Sequence, residues 1–118
     1  MTDILKLKPQ ELLLWLNKNC SVIIPERIES AEDLKLSGEL IGKITGYYSF
    51  LMSIYLNAKI EVRIAKREKL PKEEIEEYID RRDILKEYTD MLKLQYTSIS
   101  RMITVKKQVD EELKMLNL

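Results

Sequence analysis

The side chains with most capacity for chemistry are acidic. Glu73, Glu76, Glu77 and Asp80 share one face of any helix that carries them. Four carboxylates are the hard oxygen donors that Mg²⁺ accepts. A cation site of this kind needs carboxylates that converge from facing helices. Here the next acidic pair, Glu87 and Asp90, lies on the same helical stretch, with Glu87 about 21 Å from Glu73 at ~1.5 Å per residue. The cluster reads as a solvated, acidic helix start, and no metal site is expected.

The cations form two groups. Lys59, Arg63, Lys66 and Arg67 fall near one helix face, a strip that can follow a row of phosphates. Further on, Thr97, Ser98, Ser100, Arg101, Thr104, Lys106 and Lys107 make a polar patch. Arg101 and Lys107 could contact an anion or a partner there. Six tyrosines could stack on bases, but Tyr47, Tyr55, Tyr78, Tyr88 and Tyr96 sit at or beside apolar stripe positions and read as core.

Nucleophilic chemistry finds no support. The chain has no histidine and a single cysteine, Cys20, so a serine or cysteine nucleophile has no imidazole base. No intrachain disulfide can form, a Cys/His zinc site is excluded, and one free thiol suits a reducing, cytoplasmic setting. All three glycines lie inside one predicted helix, so there is no glycine-rich phosphate loop. No catalytic residue and no cofactor are expected, and the chain reads as non-enzymatic.

Those glycines are the sharpest feature. Gly38, Gly42 and Gly46 are spaced four apart, and Ser49 and Ser53 continue the row. Each helical glycine costs roughly 0.8–1.0 kcal/mol relative to alanine. A smooth strip of small residues lets another backbone approach closely. The expected interface is Gly38, Gly42, Gly46, Ser49 and Ser53, with Tyr48 and Met52 beside them. The strip could pack within the chain or between chains.

The elements that position these residues are helices. The chain has 118 residues, with 45% hydrophobic and 34% charged side chains and only 3 Gly and 3 Pro. That mix predicts one folded domain of long regular elements. The net charge is zero, so nucleic-acid or membrane binding would need a local patch. The longest apolar run, Leu12 to Leu16, is far short of a membrane span of ~20 residues, and no signal-peptide core is seen at the start.

Residues 1–8 read as a loose lead-in. Pro9 opens a short helix over 9–19, with Trp15 as its expected anchor. Residues 20–29 read as an extended connector, since Val22, Ile23 and Ile24 are β-branched and precede Pro25. Ser30 with Asp33 resembles a capping box and opens a long helix over 30–69. Its apolar stripe is Leu40, Ile44, Tyr47, Leu51, Ile54, Ala58, Val62 and Ala65, stepping by 4 and 3. Leu70-Pro71 breaks the run. A third helix over 72–116 carries Ile75, Tyr78, Leu85, Tyr88, Leu92, Tyr96, Ile99 and Ile103, then Val109, Leu113 and Leu116.

The expected fold is therefore all-α: a short N-terminal helix and a long antiparallel two-helix hairpin. Residues 59–72 carry six basic and two acidic side chains, and residues 73–90 carry three basic and eight acidic ones. These stretches should face and neutralise each other. The 47–56 segment is apolar nearly all round and cannot be covered by one neighbour. A second copy of the chain is the economical cover, giving a homo-oligomeric helical bundle with a dimer favoured.

The hairpin carries Tyr88-x3-Leu92 and Ser98-Ile99-Ser100-Arg101-Met102-Ile103-Thr104 on its second arm, and Gly46-Tyr47-Tyr48-Ser49-Phe50-Leu51 on its first. With these it resembles the small all-helical accessory proteins of phages and mobile elements of low-GC bacteria. The resemblance spans roughly residues 31–118. It implies a phage setting with one of several roles: recombination or replication accessory, structural part, or inhibitor of host defence. It implies no functional residue. The expectation is a protein–protein interaction or assembly protein with an unidentified protein partner. The alternative is a nucleic-acid-binding accessory protein.

Overall fold

The computed structural model describes residues 3–117. A 3₁₀ turn at Ile4–Lys6 precedes three helices, α1 (Pro9–Asn19), α2 (Ala31–Arg67) and α3 (Lys72–Leu116). The described residues contain no strand. The molecule is a rod of 72 × 22 × 21 Å.

The helix ends follow from local chemistry. Ser30 Oγ accepts from the Asp33 N–H at 3.0 Å, and the Asp33 carboxylate accepts from the Ser30 N–H at 3.2 Å. This closed capping box satisfies two donors that the first turn of α2 would otherwise leave orphaned. Asp33 also accepts from the Glu29 N–H at 3.1 Å. At the other end Lys69 takes a left-handed φ of 55°, and the Leu70 N–H returns to the Ala65 carbonyl at 3.2 Å. That reversal ends α2 without a glycine, at a cost of about 1–2 kcal/mol for a side chain in this region. Pro71 then starts α3, its carbonyl accepting from Glu74 and Ile75.

α2 and α3 pack antiparallel along a seam set by the predicted stripes. Ile44, Leu51, Ala58, Val62 and Ala65 of α2 are buried, as are Leu85, Tyr88, Leu92 and Ile99 of α3. A fully buried leucine contributes about 1.5–3 kcal/mol, so Leu51, Leu85 and Leu92 weigh heavily in this seam. α1 and the connector lie along one side of it. Leu12, Leu16 and Cys20 are buried. Val22 and Ile24 turn inward while Ile23 turns out, the alternation of an extended segment.

Three sequence expectations need correction. From Asp3 onward the lead-in is not loose (residues 1 and 2 lie outside the described residues): Ile4 is buried, and the Leu7 carbonyl accepts from Arg81 Nε at 2.9 Å. Hydrophobic anchoring and a charged donor together hold it down. Trp15 is only half-buried, tilted against Phe50 at 6.5 Å between ring centroids. Leu12 and Leu16, spaced four apart, are the buried anchors of α1, and the Tyr88 hydroxyl donates to the Leu16 carbonyl at 3.2 Å. Finally, the late stripe residues Val109, Leu113 and Leu116 are exposed. α3 has 45 residues against 37 in α2, so its end runs past its neighbour.

Candidate interaction surface

The inner side of α2 faces α3, and its outer side faces solvent. No residue between Lys43 and Lys59 carries a charge on either side. On the outer side Gly42, Gly46, Ser49, Ser53, Leu56 and Ile60 follow one another at steps of 4, 3, 4, 3 and 4. That is the spacing of a coiled-coil seam. All six are exposed. Leu56 and Ile60 expose 50% and 49% of their surface.

The glycines are open. A Cβ built on Gly38, Gly42 or Gly46 meets nothing within 4 Å. Among the described residues the strip therefore packs against nothing within the chain. Its cost in helix propensity, about 2.5–3 kcal/mol for three positions, is not offset by any contact of the monomer.

The predicted interface divides between two faces. Gly38, Gly42, Gly46, Ser49 and Ser53 share the outer row. Tyr48 instead lines an apolar groove on the α2–α3 boundary with Ile44, Leu92 and Tyr96. Met52 is half-buried and off the row.

The expected neutralisation of the basic strip does not occur. The ion pairs among the described residues are Arg27–Glu29, Glu77–Arg81, Arg82–Asp83, Lys86–Asp90 and Lys106–Asp110. None crosses from α2 to α3. Lys59, Arg63, Lys66 and Arg67 are exposed, and Lys59 sits 5.5 Å from the Tyr55 ring centroid. The reason is rotational. Of the acids of α3, Asp80, Asp83 and Glu87 turn toward α1 and line a groove with Pro9, Gln10 and Leu13. Glu77 is taken by Arg81 at 3.5 Å. Among the described residues no group of acidic or thiol side chains is arranged to hold a metal ion.

The 97–107 patch is solvated along most of its length, with Arg101 and Lys107 exposed. Thr97 and Thr104 return their hydroxyls to the carbonyls of Lys93 and Ser100, four residues back, at 3.0 Å each. Arg101 borders a shallow groove between the connector and the end of α3.

Electrostatic perturbations are few. Hydrogen bonds from the Glu29 and Ser30 N–H groups hold the Asp33 carboxyl below its ordinary range. Burial, with the Asp3 charge nearby, pushes Glu61 up. Burial also raises the Cys20 thiol, leaving it protonated and unreactive.

Arg81 was not distinguishable in the sequence. It is buried, bonded to the Leu7 carbonyl, paired with Glu77, and placed 4.9 Å from the Tyr78 ring centroid. The Glu77 and Tyr78 spacing was visible, but its carbonyl partner is 74 residues away.

No helix of the described residues is long and apolar enough to cross a membrane. Comparison with protein-family models finds no match, and comparisons with curated proteins and with solved structures find none either.

Proposed function

We propose that this chain is a non-enzymatic helical assembly protein that associates with copies of itself through the outer face of α2. One observation carries the reading: an exposed, uncharged row with coiled-coil spacing on a helix whose inner face is already filled. Its composition is graded. Gly42 and Gly46 occupy one end, Leu56 and Ile60 the other, and Ser49 and Ser53 the middle. Antiparallel pairing sets Ile60 of a second copy over Gly42 and Leu56 over Gly46. Serines then meet serines at the two-fold axis. Large side chains meet the smooth strip, so the backbones can approach closely, and the contact is the same on both copies. The resemblance to phage accessory proteins fits a small assembly part.

The test is Ser49→Arg, which places two cations near the axis of the pair. Ser49 is exposed, so the monomer should fold unchanged. Sedimentation velocity should show a larger species for the wild type than for the variant. Equal sedimentation would refute the reading.

A second reading, a nucleic-acid-binding accessory protein, is favoured by the exposed cations at Arg63, Lys66 and Arg67, which form no ion pair among the described residues. It predicts oligonucleotide binding that weakens steeply with salt and disappears on reversing Arg63 and Arg67 to Glu. Unchanged anisotropy of a labelled oligonucleotide at low salt would dismiss it.

A further inference from the structure

The end of α3 presents a different surface. Residues 111–117 are all exposed, because α3 outruns α2. Along this stretch Val105, Val109, Leu113 and Leu116 follow at steps of 4, 4 and 3, and each is exposed. Where the stripe meets the body, Val105 and Val109 line a groove with Ile28 of the connector. An apolar helix stripe thus leaves the body with half of its length beside a groove and the other half free.

The flanks of the stripe carry charge in a specific pattern. At about 3.6 residues per turn, Arg101 and Glu112 fall on one flank. Lys106 and Asp110 fall on the other, joined at 2.9 Å. Two copies of the stripe can meet in two ways. Parallel helices bring unlike flanks together, which sets Arg101 beside Lys106 and Glu112 beside Asp110, like charge against like. Antiparallel helices bring like flanks together. With Val105 opposite Val109 of a second copy, Arg101 lies beside Glu112 and Lys106 near Asp110, each twice by symmetry. Leu116 of one copy then reaches Ser98 of the other, whose neighbour Leu94 is exposed.

We infer that the α3 stripe pairs with that of a second copy, antiparallel and reciprocal, with Val105 of each seated against Val109 of the other beside Ile28. The groove halves of the two stripes meet at the two-fold axis, and the free half of each lies along residues 98–101 of the other, a contact over residues 98–116, about 27 Å of helix. This contact uses none of the α2 outer row. With both contacts present, each copy meets two others, and assembly passes beyond a dimer.

Cysteine pairing tests the geometry. V105C and V109C proteins are mixed and oxidised gently, with Cys20 buried and out of reach. The mixed V105C–V109C disulfide should exceed either homodisulfide by about tenfold, since antiparallel alignment alone opposes these positions. Predominant homodisulfides, or a statistical mixture, would overturn the inference. A charge swap supplies the second readout, made in the Ser49→Arg background so that the α2 contact is absent. Arg101→Glu or Glu112→Arg alone should raise the dimer Kd by about tenfold, and the double variant should restore it. A double variant as weak as the singles would overturn the pairing, as would a Ser49→Arg protein that stays monomeric at every concentration. If Ser49→Arg leaves the assembly unchanged while the mixed disulfide still forms, the α2 proposal fails and the α3 contact stands.

Discussion

Between Lys43 and Lys59 the two sides of α2 are alike in lacking charge and opposite in what covers them. On the inner side Ile44 and Leu51 are 1% and 0% exposed against α3. On the outer side Leu56 and Ile60 stand half in water, and the glycines meet nothing. A helix with one apolar stripe and one polar face is complete inside a single chain. A helix with two uncharged seams leaves one of them in solvent. The inner seam is buried within the chain, while the outer seam is exposed and its glycines carry a propensity cost.

Breaking the inner seam should have the largest effect. Leu51→Ala or Leu92→Ala removes a fully buried side chain and should lower the unfolding free energy by about 2–5 kcal/mol, read by urea denaturation at a fixed protein concentration. Breaking the outer seam should act on association alone. Ser49→Arg should reduce the sedimenting mass and leave the stability of dilute protein within about 0.5 kcal/mol of wild type.

Gly42→Ala and Gly46→Ala sharpen the contrast because the two effects have opposite signs. Nothing obstructs the new methyl group, so each should stabilise dilute monomer by about 0.8–1.0 kcal/mol through helix propensity. Each should also weaken the assembly by holding the second backbone away. Alanine variants that both stabilise the monomer and tighten association would remove the strip from the interface.

The smallest effect lies at the start of α2, which both seams share. The lowered carboxyl of Asp33 contributes stability that is present above the ordinary carboxylate range. That contribution is lost as pH falls through the lowered value. Asp33→Asn should flatten this acid limb of a stability-against-pH curve and leave association at neutral pH unchanged. A curve that keeps its acid limb in the variant would assign the limb to other carboxylates.

Much of this architecture was legible in the residue pattern. The Ser30–Asp33 box, the break at Leu70-Pro71 and the stripe through Ile44, Leu51 and Ala58 are local signals, and each element formed where its signal lay. What was not legible depended on rotation and distance. The acidic run after Glu73 faces the right segment in sequence order, but Asp80, Asp83 and Glu87 turn toward α1 and Glu77 is held by Arg81, so charge counts alone could not show that the basic strip stays unpaired. Arg81 holds the N-terminal segment through a carbonyl, a group no side-chain pattern reveals. Val109, Leu113 and Leu116 kept the spacing of a core stripe after the core had ended. Spacing reports that a face is apolar, and only the neighbouring element decides whether it is buried. The glycine row is plain in the sequence, and the structure adds that among the described residues nothing packs against it.

The most direct test is the mass of the wild-type protein by sedimentation equilibrium across a wide concentration range. The account predicts a weight-average mass above the 14.0 kDa of one chain, rising with concentration and reduced by Ser49→Arg. A mass of one chain at every concentration up to the solubility limit would contradict it.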